Sequence, residues 1–266
     1  TLPLEKRAER VVERMNRKPF QGVLNIIRFN WHFYVIALFL VITILFFRRF
    51  FSPGLSALID LILSLAVLSI LVSLVVSYYI YDHSNIYSLN FLKQLSITKD
   101  KKLVNINAGF DEISHILKHK YPDSELAVLD FYDPRRHTEV SIERARKAYP
   151  PYPGTITIET NNVPLTDNST DYIFLILAAH EIRSNDERVH FFKQLGDSLT
   201  TSGRIIVVEH QRDIFNFIAY NFGFFHFLSP ATWQYTFDIG GLSVESTSKL
   251  TPFLKIFILK KNGTSS

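Results

Sequence analysis

Two long apolar runs separated by a short turn restrict what this chain can fold into more than any other feature. Residues 31–47 are almost entirely apolar, and residues 55–81 contain a single charge, Asp60. A helix needs about 20 mainly apolar residues to cross a bilayer. Residues 48–54 join the runs and contain a Pro-Gly pair typical of a tight turn. We therefore expect a transmembrane helical hairpin at residues 31–81. A pair of buried helices in a soluble protein is the disfavoured alternative, because such helices have little polar face to present to water.

The distribution of Lys and Arg predicts the orientation of the hairpin in the membrane. Seven Lys and Arg residues precede Trp31, whereas the connecting turn holds only Arg48 and Arg49. Basic residues flanking membrane helices stay preferentially on the cytoplasmic side. The N-terminus and the long C-terminal region are therefore both expected in the cytoplasm. The chain is expected to be an integral protein of a bacterial inner membrane.

This pattern divides the chain into three regions. We expect residues 1–30 to form a basic amphipathic N-terminal helix, residues 31–81 the hairpin, and residues 82–266 a cytosolic domain. The chain contains no cysteine, which excludes disulfides and thiolate chemistry. Its net charge of +4 is too small to indicate nucleic acid as the main partner.

In the cytosolic domain, short apolar runs alternate with amphipathic stretches. This alternation predicts a mainly parallel, Rossmann-like sheet of seven strands with helices on both faces and an antiparallel terminal strand. Ligands of such sheets bind at the carboxyl ends of the strands. The expected strands are 102–107, 126–130, 155–159, 172–177, 205–209, 243–248 and 253–260.

The turn after the first expected strand is the first element of a resemblance. It contains Asn105, Asn107, Ala108 and Gly109 in the order Asn-Ile-Asn-Ala-Gly. Residues 101–261 resemble class I S-adenosylmethionine-dependent methyltransferases of the type 11-like group, in which an acidic residue and a Gly-rich turn hold the cofactor at this place. Here Asn105 replaces the acid and Asn107 replaces the first glycine. The resemblance implies that S-adenosyl-L-methionine is the cofactor and that Asn107, Ala108 and Gly109 approach it.

The second expected strand ends in Asp130, about 20 residues after Gly109. An acidic residue at this spacing and place can bind a ribose diol. The alternative is an aspartate that caps its own loop. By the resemblance, Asp130 binds the ribose and Phe131 covers the adenine.

The resemblance extends to the ends of the third and fourth expected strands. After the third strand, Asn161 or Asn162 takes the place of the residue that recognises the adenine amino group. After the fourth strand, the small Ala178 and Ala179 leave room beside the sulfonium. These four residues complete the expected cofactor site.

Methyl transfer to a weak acid needs a base, and imidazole titrates near neutral pH. His180 and His210 follow the fourth and fifth strands and are the candidates, with Glu181 expected to orient His180 or to bind the acceptor. Each histidine has a structural alternative, as a loop cap or a helix start. No metal is expected, because the histidines show no paired ligand spacing such as H-x-x-x-H.

Residues 214–233 are rich in aromatic side chains and follow the fifth expected strand. Beside a membrane hairpin, they are expected to form an apolar lid over a lipophilic acceptor such as an aromatic polyene, a quinone precursor or a fatty acyl compound. The expected partners are thus the lipid bilayer, this acceptor and a second copy of the chain paired through the hairpin. Two alternatives stay open: an inactive methyltransferase-fold scaffold or cofactor sensor, and a nucleotide-binding oxidoreductase, whose G-x-G-x-x-G turn the sequence lacks.

Overall fold

The computed structural model describes residues 17–137 and 139–263. Its centre is one seven-stranded sheet with the order β3-β2-β1-β4-β5-β7-β6. β7 runs antiparallel to both of its neighbours, and the pairings among β1 to β5 are parallel. The predicted fold class is therefore confirmed. The strands are β1 (Lys102–Asn107), β2 (Glu125–Asp130), β3 (Ile156–Thr157), β4 (Thr170–Ile176), β5 (Leu199–His210), β6 (Leu242–Thr251) and β7 (Leu254–Lys261).

Four of the described α-helices begin where the sequence supplies a cap or a proline. Side chains of Ser184, Asp213 and Ser229 accept hydrogen bonds from the backbone N–H groups of the turns they precede. Pro230 is the first residue of the helix that Ser229 caps, and Pro53 opens a fourth helix. The α-helices are α1 (Gln21–Phe29), α2 (Trp31–Phe47), α3 (Pro53–Tyr78), α4 (Ser114–Lys120), α5 (Val140–Ala148), α6 (Asn185–Ser198), α7 (Ile214–Tyr220) and α8 (Pro230–Ile239). Short 3₁₀ turns cover Arg48–Phe50, Asn90–Leu95, Ala179–Glu181 and Asn221–His226, and a π turn covers Tyr79–His83.

Two expected elements are shorter than their patterns indicated. β3 keeps only Ile156–Thr157, because it is an edge strand that pairs with β2 alone and follows a proline-rich loop. Residues 86–95 have the pattern of an amphipathic helix but form only the 3₁₀ turn Asn90–Leu95. Leu89 and Ser96, with φ of 50° and 45°, have left-handed backbone and bound that turn on both sides.

The core has one apolar layer on each face of the sheet. One layer holds Phe192, Trp233 and Phe237 of α6 and α8, so Trp233 belongs to the core and not to the expected apolar lid. The other layer holds Ile80 and Ile86, which follow the hairpin directly and are fully buried. The chain therefore enters the domain core within a few residues of leaving α3.

The hairpin formed by α2, the turn at 48–52 and α3 exposes nearly all of its apolar surface. Residues Trp31–Phe50 and Pro53–His83 are long and apolar enough to cross a membrane, by length and composition, and their most apolar windows are not buried. Arg48 pairs with Asp60 at an N–O distance of 2.6 Å beside the turn.

The expected N-terminal helix lies largely outside the described residues, since the structure describes the chain from Arg17. The described part packs on the C-terminal domain: Arg17 pairs with Glu112 at 2.6 Å. The Asp82 carboxylate accepts the first free N–H groups of α1, from Gly22 at 2.7 Å and Val23 at 2.8 Å. α1 is thereby fixed between the hairpin and the strand ends.

Candidate active site

The strand order reverses between the parallel neighbours β1 and β4, which is the topological switch point of the sheet. At such a switch point, the connections that follow the two neighbouring strands run to opposite faces of the sheet. This creates a crevice beyond the carboxyl ends of the strands. A cavity of about 260 Å³ occupies this place. Its floor is formed by Ala108 and Ile176 at the strand ends, and α1 and α5 cover it with Ile26, Phe29 and Ile142.

The expected cofactor turn after β1 is formed despite its two asparagines. Asn107 Oδ1 accepts the N–H of Gly109 at 3.0 Å, and Asn107 Nδ2 donates to the Leu129 carbonyl at 3.2 Å. Asn105 Nδ2 donates to Ser114 Oγ at 2.8 Å. Gly109 has φ +99°, a left-handed conformation that favours glycine. The two asparagines, which stand in place of the usual acid and glycine, therefore hold the turn by internal hydrogen bonds.

Asp130 lies at the end of β2, beside this turn, as expected. Its carboxylate is already paired: Oδ1 accepts the Tyr132 N–H at 2.9 Å, and Oδ2 accepts from Arg146 Nη1 at 2.5 Å. Arg146 also donates to the Gly109 carbonyl at 3.1 Å and lies over the Tyr132 ring. The guanidinium therefore bridges the two positions between which the resemblance places the ribose.

A second cavity, of about 330 Å³, lies where the adenine is expected, beyond the ends of β2 and β3. Phe131 and Asn161 both line it, whereas Asn162 is not among its described lining residues. Ala178 and Ala179 are buried in the 3₁₀ turn after β4 and do not belong to the described lining of either cavity. Of the expected cofactor residues, Ala108, Phe131 and Asn161 thus face open space.

His180 lies on the wall of the main cavity, held by two glutamates. Its Nδ1 donates to Glu209 Oε2 at 2.7 Å, and its Nε2 lies 3.3 Å from Glu181 Oε1. Burial lowers the pKa of His180, but the two carboxylates outweigh it and raise that pKa to about 10. Burial likewise raises the pKa of Glu181, and hydrogen bonds to His180 and His226 bring it well below its usual range. At neutral pH, His180 is therefore a proton donor and not a base.

His210, the other expected base, lies outside the described cavity lining. Its Nδ1 donates to Asn216 Oδ1 at 2.9 Å, and its Nε2 lies 3.1 Å from the Tyr81 hydroxyl. Its ring stacks on Phe227 with centroids 4.5 Å apart. Burial lowers the pKa of His210 to about 4, so the ring is neutral at pH 7. With both nitrogens engaged, it supports the strand end and the aromatic residues above it.

Sequence reasoning missed Arg146, α1 as a cover of the cavity, and the full role of His226. His226 lines the cavity, and its Nε2 lies 3.2 Å from Glu181 Oε1. No local sequence pattern predicts these contacts, because each joins residues that the fold brings together from distant parts of the sequence. Arg146 sits on an ordinary amphipathic helix, where a solvent-exposed position would be the default expectation.

The strand order defines the class of fold: a Rossmann-like, mainly parallel α/β sheet with an antiparallel edge. No known protein family matches the sequence, and no curated protein matches it. Among solved structures, a SAM-dependent methyltransferase from Aquifex aeolicus is similar, with a TM-score of 0.48 and 14% identity over 64% of this chain and 87% of the other. A SAM-dependent methyltransferase from Methanosarcina mazei has a TM-score of 0.49 and 12% identity over 64% and 96%. One from Leishmania major has a TM-score of 0.47 and 18% identity over 65% and 70%. The fold assignment itself rests on the strand order of this chain.

Proposed function

We propose that this chain transfers a methyl group from S-adenosylmethionine to a lipophilic acceptor that it takes from a membrane. The observation that carries the proposal is the cavity at the β1–β4 switch point. It is lined mainly by apolar side chains, and its cover is α1, the helix that leads directly into the hairpin. An acceptor dissolved in the bilayer would thus reach the strand ends along the base of the hairpin.

The residues beside the cavity fit the cofactor. Gly109 supplies the turn, Asp130 is a carboxylate able to bind the two ribose hydroxyls, and Phe131 and Asn161 face the adenine cavity. S-adenosylmethionine supplies an electrophilic methyl group on a sulfonium, so the protein contributes chiefly by aligning the reactants. For the ribose to reach Asp130, Arg146 must release that carboxylate. The Arg146 side chain is 34% exposed, and it has room to turn outward.

The dimensions of the hairpin support the membrane part of the proposal. α3 has 26 residues, about 39 Å at 1.5 Å per residue, against a hydrocarbon thickness of about 30 Å. Its C-terminal part contacts the domain, because Asn221 Nδ2 donates to Ser69 Oγ at 2.7 Å. The portion before Ser69 has 68 − 53 + 1 = 16 residues, close to the 17 residues of α2. Each is about 25 Å long, near the lower limit for a membrane span. Both helices would span the bilayer with their cytosolic ends at the domain.

The aromatic segment, residues Ile214–His226, follows β5 and packs against α3. Its outer face is strongly exposed and apolar: Phe222 is 88% exposed, and Phe215, Phe217, Ile218 and Phe225 are exposed as well. An exposed apolar face of this kind is stabilised where lipid or another protein surface covers it, and its position next to the hairpin favours lipid. We propose that it lies in the cytoplasmic interface and forms the entry for the acceptor. Pairing of two chains through the hairpin stays a prediction.

His180 and Glu181 would act on the acceptor. The His180 ring, protonated and held by Glu209, can donate a hydrogen bond from Nε2 to an acceptor oxygen. Glu181 lies on the same wall and would orient a hydroxyl of the acceptor. Removal of a proton from the acceptor by Glu181 requires that the acceptor first break the contact between Glu181 and His180.

A second function, that of a cofactor sensor or inactive scaffold, is favoured by the Arg146–Asp130 ion pair. In that case Arg146 permanently holds the ribose position closed, or opens it without a following reaction.

A transfer assay distinguishes the two functions. It uses the full chain in proteoliposomes made from bacterial membrane lipid extract. S-adenosylmethionine labelled in the methyl group is added, and the label is followed into the organic phase. We expect label in the organic phase with the parent chain and with Asp123→Ala, a matched surface control, but not with Asp130→Ala. Transfer only to water-soluble material would refute the lipophilic acceptor. Cofactor binding without any transfer would favour the sensor.

A further inference from the structure

Three donor atoms converge on the cavity wall from two separate elements. His180 Nε2 and Glu181 Oε1 come from the 3₁₀ turn after β4, and His226 Nε2 comes from the end of the aromatic segment. Ligand atoms of the three residues lie within 4.8 Å of one another. Glu181 Oε1 is 3.3 Å from the His180 nitrogen and 3.2 Å from the His226 nitrogen. Two imidazoles and one carboxylate form a ligand set used by catalytic zinc sites and other transition-metal sites.

Both imidazoles are held from behind by further carboxylates. Glu209 Oε2 lies 2.7 Å from His180 Nδ1, and Glu139 Oε1 lies 3.1 Å from His226 Nδ1. Metal-binding histidines usually have their other ring nitrogen bonded in this way, which fixes the ring and the tautomer. Glu209 is itself fully buried and accepts the N–H groups of Ala178 and His180 through Oε1. The two Nε2 atoms are thus directed toward Glu181 by the fold.

The net negative charge of the cluster favours binding of a divalent cation. Three carboxylates, of Glu139, Glu181 and Glu209, surround the two imidazoles, and the nearby cation on the described chain is Arg183. Its Nη2 lies 2.7 Å from His226 Nε2 and 3.8 Å from Glu181 Oε2. Metal binding displaces the proton of His180, and one guanidinium then compensates only one of three negative charges. The Arg183 side chain is 44% exposed, so a metal ion can displace it into solvent.

We propose that His180, Glu181 and His226 bind a divalent transition metal, with zinc as the best match to the ligand set. The open coordination position would face the cavity. The metal site is separate from the proposed cofactor position, since none of its ligands contacts Asp130 or the Gly109 turn in the described structure. A bound metal would replace the direct contact of His180 and Glu181 with the acceptor, so metal binding is tested without the transfer reaction. Glu209 and Glu139 are positioning residues.

Cobalt(II) titration of the full chain in detergent tests the site without an activity assay, because Co²⁺ bound to nitrogen and oxygen ligands absorbs visibly. We expect one Co²⁺ per chain, displaced by Zn²⁺. Affinity should fall more than about tenfold in His226→Ala and in the milder His226→Gln, and about 10- to 100-fold in Glu209→Gln. His119→Ala, an exposed histidine on α4, is the matched control and should bind as the parent does.

Metal binding that is equal in His226→Ala and the parent, with both folded by thermal melting, would overturn the proposal. So would the absence of any metal-dependent spectrum, which would identify Arg183 as the permanent counter-ion of the cluster.

Discussion

Replacement of Arg146 by methionine tests whether the guanidinium closes the ribose position. Arg146→Met keeps the aliphatic stem over Tyr132 and removes the ion pair to Asp130. Loss of one partner from a fully buried pair costs roughly 3–5 kcal/mol. Asp130 is 4% exposed but Arg146 is 34% exposed, so solvent reduces this cost and we expect a free energy of unfolding lower by about 1.5 kcal/mol.

The same ion pair opposes the cofactor in the parent chain, since the ribose must displace it. If it stabilises the unbound protein by about 1.5 kcal/mol, its removal should tighten binding about tenfold. Titration calorimetry with S-adenosylhomocysteine measures the affinity, and thermal unfolding in the same detergent measures the stability.

Arg204→Met is the matched control for this variant. Arg204 forms a comparably exposed pair with Glu245 at 2.6 Å, at the opposite edge of the sheet. We expect it to lower stability without a change in affinity. An Arg146→Met affinity equal to or weaker than that of the parent would refute the competition between the guanidinium and the ribose.

Three further predictions concern other parts of the structure. First, His210 is buried with a pKa of about 4 against an ordinary value of 6.5. As the pH falls, the unfolded chain protonates this histidine at a higher pH than the folded chain does. The free energy of unfolding should therefore fall by roughly 3 kcal/mol between pH 6.5 and pH 4. His210→Asn should flatten that part of the pH profile of unfolding. Second, in a Trp31→Phe background, Phe222→Trp should show fluorescence quenched by brominated lipids, because we propose that this side chain enters the interface. Third, Asp82→Ala should lower the free energy of unfolding by about 1–2 kcal/mol, because two N–H groups at the start of α1 lose their acceptor.

Each of these has its control. A parent and His210→Asn with the same pH profile would show that another group governs stability in this window. In the same background, Ile156→Trp, exposed on the distant edge strand β3, should escape lipid quenching; equal quenching at both positions would refute the membrane-facing assignment. Asp123→Ala removes an exposed aspartate that pairs with Lys99, and a loss equal to that of Asp82→Ala would show that the α1 contact adds nothing specific.

The fold was predictable because its signals are local. Alternating apolar runs, the Pro-Gly turn and the acidic residue at the end of β2 each depend on neighbouring residues, and they gave the seven-stranded sheet and the position of Asp130. The shortened β3 was not predictable from its apolar content, since pairing on one edge only is a property of the assembled sheet.

The chemistry of the site was less accessible, because protonation depends on tertiary contacts. His180 was expected to act as a base, but two carboxylates that lie 1 and 29 residues away in sequence keep it protonated. Nothing in the sequence around His226 indicates a role in the site, yet its Nε2 contacts Glu181, which lies 45 residues earlier in the chain. The cover of the cavity by α1 depends on how the chain returns from the hairpin, which no periodic pattern encodes.

The most direct test of the central claim is calorimetric binding of S-adenosylmethionine and S-adenosylhomocysteine to the detergent-solubilised full chain, alongside Asp130→Ala and the control Asp123→Ala. The account predicts one binding site per chain that persists in Asp123→Ala and is lost in Asp130→Ala. An absence of binding to the folded parent, or equal binding by Asp130→Ala, would contradict the claim that the carboxyl ends of β1 and β2 hold this cofactor.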